Sequence, residues 1–564
     1  MARTGIAARA PAALSTRAER ISALALPSLA DTLFILCLAG VTLGLQGRAL
    51  GSDGDIGWHL RQGLLTLSGQ PPRHDTLSST ASGQPLVDME WLGEAAYALV
   101  WRAAGLNGVV ALAGLLIAIT GAGLLLALRA RGTPILLALP LALLAVALTS
   151  IHWVARPHLF SLPLLLWWSE WLWRYWRDGR RWRLWCFPPV LALWANLHGY
   201  FLDGLLLLGS AVVVAWIFRR DRGRAEPLPL TLALGASALA MLATPWGLAL
   251  PQHYLTFFAV PDVIANTQEW QSPDFHTLAA RIFLLLLFLL VAAWIFASRA
   301  APTRPPRDTA PASLAADMPA APRLAGPEPL AWVVAGVFTA LALMAVRSVP
   351  LWAVVVTPII GEALTAWIRT LATDARPEAG PGWITRLAAA TLARSARLDS
   401  TERQIGRGAW SALVVVLLGL MLAGGGRLPG TRAVVLRAAF SSRDFPVAAV
   451  AQLQRAGLPP GRGFNTAEWG GYLEYALPTY RDFVDTRTDF YSPALLRDYL
   501  TMVDAAPGWR RLFTRYQIHW ALLPQALPLT QLLASTPGWT CHALDDQGVA
   551  SLCVQTSPGP PSSQ

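Results

Sequence analysis

The chain has 564 residues, 54% of them hydrophobic and only 14% charged, with a mean hydropathy of +0.43. Soluble domains carry roughly 25% charged residues, so this balance excludes a string of globular domains, a disordered chain and a disulfide-stapled secreted module. It points to a polytopic membrane protein with some soluble part. The net charge of +11 rests on 45 basic residues, all arginine, which excludes P-loop phosphate binding, a Schiff base and every other mechanism that needs a lysine.

Apolar runs of spanning length recur at about 27–47, 107–128, 134–150, 159–174, 184–198, 201–218, 229–249, 280–298, 329–346, 350–370 and 409–426, giving eleven candidate transmembrane helices. The first run is long and lacks a small-x-small cleavage site, so it reads as helix one rather than a cleaved signal peptide. Asn196, His198 and Gly199 separate the pair 184–198 and 201–218, which reads as broken or re-entrant. With the N-terminus in the cytoplasm, the cytoplasmic segments hold 26 arginines and the opposite loops before the tail hold 7. That asymmetry sets the orientation and makes most of the positive charge a topology signal, so no nucleic-acid partner is expected.

This orientation puts the loop 48–106 on the outer side and the Pro- and Ala-rich linker 299–328 in the cytoplasm. The segment 427–564 falls outside. It alternates helix-like stretches (445–457, 494–504, 509–516) with apolar strands (481–485, 518–523, 539–544, 549–554) and ends in a disordered tail, 557–564. The expected fold is thus an all-α polytopic domain, 1–426, with a small α/β extracytoplasmic domain, 427–564. Cys541 and Cys553 flank the turn Asp545-Asp546-Gln547-Gly548, where a disulfide and two half-buried thiols are both compatible with the sequence.

Polar groups gather at the outer ends of the apolar runs. The first loop carries Asp53, Asp55 and His59 beside the membrane, then His74 and Asp75, then Asp88 and Glu90. Residue chemistry alone favours helix capping by Asp53 or Asp55; a general base beside the membrane is the alternative. Arg156 and His158, Asn196 and His198, Glu269 and Trp270, Asp274 and His276, and Arg347 lie between later helices on the same side. Each alone fits a loop or interfacial role. Together they would line one face of an outer cavity, with Arg156 and Arg347 able to hold a phosphate. Asp31, Glu170 and Glu362 lie nearer the cytoplasmic ends and read as structural. In the tail, the paired Gly470 and Gly471 permit close backbone approach, while Asp485, Arg487 and Asp489 form a salt-bridge corner or an acceptor-binding surface.

The stretches DGDIGWHLRQG (53–63), PPRHD (71–75), VDMEWL (87–92), NLHGYFLDG (196–204), EWQSPDFH (269–276), NTAEWGGYLEYALP (465–478) and VDTRTDFY (484–491) resemble a large group of bacterial membrane proteins related to GT-C-fold glycosyltransferases. The resemblance implies a polytopic core, a first outer loop with an essential Asp near the end of helix one, and a polyprenyl-phosphate-linked sugar donor. It further implies an extracytoplasmic acceptor (glycan, lipid or protein) and residence in the bacterial inner membrane. Asp55 maps onto the essential Asp, with Asp53 second; His59, Asp88, Glu90, Arg156, His158, His198, Glu269, Trp270 and Arg347 are the substrate-binding candidates. Some relatives need a divalent metal held by carboxylates, but no ligand spacing is recognisable here, and no metal or other cofactor is expected. A transporter or lipid flippase, and a non-catalytic scaffold of the same fold, are the competing classes. A cavity holding Asp55 within reach of an arginine favours the enzyme, and a filled one favours the scaffold.

Overall fold

The computed structural model describes residues 26–44, 53–69, 71–218, 225–258, 268–299, 328–373, 382–406, 408–544 and 548–556. The N-terminal arginines, most of the linker 299–328, the turn 545–547 and the tail 557–564 lie outside the described residues.

Helix α1 (Leu29–Ala39) starts at Ser28, whose hydroxyl accepts the Asp31 N–H. Asp31 in turn accepts the backbone N–H groups of Gly408 and Ser411, both at 3.1 Å. It thereby caps α14 (Ala409–Ala423) and ties the first apolar helix to the last. The first loop holds the amphipathic helix α2 (Asp55–Leu67) and leads into α3 (Trp91–Ala130), a 40-residue helix interrupted at Ala104–Gly105, where Gly105 has φ +59. Only glycine adopts that conformation without strain, and the break separates a surface segment from the apolar run that follows.

Helices α4 (Ile135–Thr149), α5 (Ser161–Asp178), α6 (Phe187–Trp194), α7 (Phe201–Ile217), α8 (Pro227–Ala240) and α9 (Ala249–Phe258) follow. Then come α10 (Leu278–Arg299), α11 (Pro329–Met344), α12 (Val349–Thr373) and α13 (Trp383–Gln404). Four segments are long and apolar enough to cross a membrane: Trp91–Ala130, Ile135–His152, Leu278–Phe296 and Val346–Ala372. The pair α13 and α14, bent by 56°, adds a fifth if it acts as one span. The protein is a multi-pass membrane protein.

The eleven apolar runs therefore do not all become full-length helices among the described residues. Leu29–Gly44, Phe201–Ile217, Pro227–Ala240 and Pro329–Met344 are shorter apolar helices. The run 184–198 resolves into a 3-10 turn (Arg181–Cys186), the eight-residue α6 and a polar turn. Helix α5 runs past its apolar stretch into Glu170, Arg174, Arg177 and Asp178. Arg131 pairs with Glu170 at 2.7 Å and approaches Glu362 at 3.8 Å, which neutralises buried charge between α5 and α12.

The C-terminal part holds α15 (Val447–Ala456), β1 (Arg462–Asn465), α16 (Ala467–Ala476), α17 (Pro493–Val503), α18 (Trp509–Arg515) and β2 (Ile518–Pro524), then α19 (Pro528–Ala534), β3 (Trp539–Ala543) and β4 (Ala550–Gln555). The sheet order is β1-β2-β4-β3, with β1 parallel to β2 and the other pairs antiparallel. Cys541 pairs with Cys553 across the β3–β4 ladder and the two form a disulfide. The expected strand 481–485 is extended loop touching Ser78 by a single bridge at Asp482, because the position beside β2 goes to β1. Phe464, Phe483, Ala521, Leu523 and Cys553 belong to a small core beneath the sheet. The larger core runs without a break from the membrane helices to Tyr472, Leu473 and Trp520.

Candidate active site

The site starts with three glycines, Gly54, Gly57 and Gly471. At Gly57 a Cβ would lie 1.8 Å from the Gly471 carbonyl oxygen; at Gly54 it would lie 2.6 Å from that of Glu468. Helices α2 and α16 meet backbone to backbone because neither carries a side chain there. This contact sets the N-terminus of α2 against the C-terminal part. Asp53 Oδ1 accepts the Asp55 N–H at 3.1 Å, so Asp53 has the local helix-start role, and Gly54 is the N-cap.

Arg156, on the turn before α5, reaches into this start. It binds both Asp53 oxygens, through Nε and through Nη2 at 2.7 Å. Its Nη1 lies 3.0 Å from Asp55 Oδ2 and 3.2 Å from Glu269 Oε1. Thr486 donates its hydroxyl to Asp55 Oδ1, and Trp58 Nε1 donates to Thr486 at 3.3 Å. Burial pushes the Asp55 carboxyl up against the pull of Arg156, and with the charges of Asp53 and Glu269 adding, it reaches about 8. Glu269 goes the other way: burial opposes its charge, but Arg156, His152 (3.4 Å) and Arg347 (3.9 Å) hold it well below the usual carboxylate range. One guanidinium thus fills the space between three carboxylates. A divalent ion does not fit there without displacing it, and these acids form no metal-ligand grouping among the described residues.

A second cluster centres on Glu90. Glu90 Oε1 lies 3.1 Å from His198 Nε2, and Oε2 lies 3.7 Å from His59 Nδ1, which also meets Glu94 at 3.0 Å. The Tyr200 N–H points at His198 Nδ1 at 3.1 Å, so Nδ1 is the acceptor and Nε2 carries the hydrogen toward Glu90. Burial, followed by neighbouring cations and imidazoles, drops His59, His158 and His198 well below the usual imidazole value, so all three are neutral at pH 7. Burial and then the charge of Asp88 raise Glu90 to about 8; burial raises Asp88 to about 6.

Both clusters open into one cavity of about 920 Å³. Asp55, His59, Asp88, Glu90, Arg156, His158, His198, Glu269, Trp270 and Arg347 all line it; Asp53 sits behind Asp55. Asp274 and His276 do not join them: they are exposed and bonded to each other at 2.8 Å. Arg347 stacks on Trp270 (4.5 Å) and Tyr200 (5.2 Å), and its Nε donates to the Tyr200 hydroxyl at 3.2 Å. Several wall residues were not picked out individually from the sequence: His152, Tyr200, His253, Tyr254 and Thr486. The VDTRTDFY stretch, in which threonines alternate with Asp485, Arg487 and Asp489, marked the segment that carries Thr486 but not its partner. Asp489, in the same stretch, meets His253 at 3.1 Å.

Among solved structures the chain is similar to the oligosaccharyltransferase of Archaeoglobus fulgidus in its apo form, with TM-score 0.50 and 10% identity over 87% of this chain and 69% of that one. The fold is GT-C-like. The same enzyme tethered by a disulfide to an acceptor peptide containing the NVT sequon aligns with TM-score 0.49 and 12% identity, over 90% and 69% of the two chains. No family model matches the sequence, and no curated protein does. The GT-C-like core and the C-terminal part together form the cavity wall: Asp55 and Glu269 come from the first, Thr486 and Asp489 from the second.

Proposed function

We propose that the protein is a membrane glycosyltransferase that moves a sugar from a polyprenyl-phosphate-linked donor to an acceptor hydroxyl or amide on the outer face of the bacterial inner membrane. The observation that carries this reading is the cavity itself, open beside Asp55 with Arg347 in the same wall. In the reaction the acceptor heteroatom attacks the anomeric carbon while the bond from that carbon to the phosphate oxygen breaks. The acceptor proton passes to a carboxylate and the electron pair leaves with the lipid phosphate. Asp55, raised toward neutrality, is the base.

The geometry divides the two arginines. Arg156 is committed to Asp53, Asp55 and Glu269 and acts by neutralising and aligning them. Arg347, braced on Trp270 and Tyr200, is the donor for the departing phosphate. Trp270 and Tyr200 also offer flat faces for a sugar ring. The disulfide between Cys541 and Cys553 supports an oxidising compartment for the C-terminal part.

The test has two arms. Lipids copurified under mild extraction are identified by mass spectrometry, and transfer is then assayed with the radiolabelled polyprenyl-linked sugar that appears. Transfer lost in Asp55→Asn and retained in Asp53→Asn supports the assignment. Absence of any polyprenyl phosphate, or full activity in both variants, overturns it.

A further inference from the structure

At the cavity wall, three carboxyl groups converge from a helix and the loop after it. Glu474 comes from α16, and Asp482 and Asp485 come from the loop that follows it. A ligand oxygen of each lies within 4.8 Å of the others, and all three side chains are buried. Asp485 is accounted for by Arg487, which binds both its oxygens, and by the Tyr491 hydroxyl at 2.8 Å. Glu474 and Asp482 are not. Their relative exposures are 1% and 0%, the two carboxyls face each other, and none of their four oxygens accepts from a donor on another residue.

Two adjacent, sealed carboxylates with no donor are unfavourable unless something positive sits between them or a proton is shared. Among the described residues the guanidinium that faces these acids is Arg487: its Nε and Nη2 serve Asp485, Nη2 also meets Asp75 at 2.9 Å, and its buried Nη1 makes no hydrogen bond to Glu474 or Asp482. The backbone of α16 packs closely on these acids. Gly470, one turn before Glu474 on the same face of α16, has no side chain; a Cβ there would stand 2.7 Å from Asp482 Oδ2 and 2.8 Å from Asp485 Cβ.

We propose that Glu474, Asp482 and Asp485 form a binding site for a hard divalent cation of the Ca²⁺ class, distinct from the Arg156 cluster. The donors are all carboxylate oxygens, with no imidazole or thiolate, which selects Ca²⁺, Mg²⁺ or Mn²⁺ over Zn²⁺ or copper. Ca²⁺ fits best, because its coordination tolerates ligands whose positions are set by a helix and a loop, whereas Mg²⁺ demands near-octahedral order. The site sits on a seam. The Asp482 carbonyl accepts the Ser79 N–H at 2.7 Å, and the Thr80 hydroxyl donates to the Phe483 carbonyl at 2.6 Å. Thr486, next but one to Val484 in the same loop, is the residue that donates to Asp55. Gly471, beside Gly470, is the one packed on Gly54. A cation here is structural: it holds the loop that touches Asp55, and its binding does not depend on the transferase reading.

The test is a thermal unfolding titration of the full-length protein in detergent, stripped with EDTA and then given CaCl₂ or MgCl₂, with bound metal measured by atomic emission after gel filtration. The expected result is about one Ca²⁺ per chain and a saturable rise in Tm of several degrees. Glu474→Gln/Asp482→Asn should lose that response, with a Tm in EDTA at or above that of the wild type in EDTA, because the repulsion is gone. Asp55→Asn should keep the response. If the double variant fails to fold, Asp482→Asn alone replaces it. A wild-type protein that binds no metal and shows no Tm response overturns the site and leaves a shared proton between Glu474 and Asp482. A response that survives the double variant but vanishes in Asp55→Asn also overturns it, by placing the cation in the cavity.

Discussion

Arg156 is the one cation shared by Asp53, Asp55 and Glu269, and its removal is the most demanding test of the site. Taking one partner from a buried ion pair costs ~3–5 kcal/mol. The Arg156 side chain is 23% exposed, which lowers the figure, but three carboxylates lose their counter-charge together, so ~3 kcal/mol is a reasonable expectation for Arg156→Ala. The loss should depend on pH. Without Arg156 the folded-state value of Glu269 loses its main cause of depression and rises, and Asp55, already above its unfolded value, rises further, so the folded state of the variant binds protons more tightly than the unfolded one. The variant should then be least impaired near pH 5 and lose further stability as pH rises toward 8. In the wild type Glu269 has the opposite sign: its depressed folded-state value contributes stability above the usual carboxylate range that is lost in acid. The gap in Tm between wild type and Arg156→Ala should therefore widen from pH 5 to pH 8. Arg156→Lys should recover part of the stability and little activity, since an ammonium cannot bind Asp53 side-on while reaching Asp55 and Glu269. An Arg156→Ala protein with unchanged Tm at both pH values, or with full transfer activity, refutes the reasoning.

Transfer should rise with pH through about 8 as Asp55 loses its proton. Glu90 titrates in the same range, so the limb must persist in Glu90→Gln; a limb lost there would make Glu90 the base. Arg347→Ala should lower kcat/KM for the lipid donor by ~10²–10³-fold, with Arg347→Lys partly restoring it; an unchanged donor kcat/KM removes Arg347 from phosphate binding. Gly57→Ala puts a Cβ 1.8 Å from the Gly471 carbonyl and should destabilise by ~1–3 kcal/mol. Gly209→Ala, in α7 with nothing within 4 Å, should be neutral to slightly stabilising, and equal Tm values for the two variants count against the α2–α16 contact. Cys541→Ser/Cys553→Ser should lower stability by ~2–4 kcal/mol, read as a fall in Tm that reducing agent reproduces in the wild type.

The cavity wall was legible because ionisable residues are expensive among apolar spans and collect where the chain turns. Arg156, His158, His198 and Arg347 each stand at the end of an apolar run, Glu269 lies in the loop between two such runs, and all face one space. What the run ends do not carry is pairing. Nothing local to Thr486 announces a hydroxyl bond to Asp55, 431 residues away in the chain. Helix α16 was hidden for a related reason: Gly470 and Gly471 are poor helix formers, and their value lies in close tertiary approach, Gly471 to Gly54 and Gly57 and Gly470 to Asp482 and Asp485. The stretch Arg462-Gly463-Phe464-Asn465 carries no apolar alternation and 481–485 carries more; tertiary pairing with β2 nevertheless makes the first a strand and leaves the second a loop.

The same pairing changes what the two arginines mean. As isolated loop residues, Arg156 and Arg347 were equivalent candidates for a phosphate. In the fold, Arg156 is consumed by acids from two loops, and that leaves Arg347 as the cation braced against aromatic faces in the cavity wall. The consequence reaches the C-terminal part. It supplies Thr486 to Asp55, and through Gly471 it fixes the start of α2. Asp55, the proposed base, is thus positioned by two segments that are remote in sequence and packed on one continuous core. A fragment ending before residue 427 would keep Asp55 and Arg156 but lose the groups that aim the carboxylate, so its loss of activity would be one of geometry rather than of acceptor binding alone.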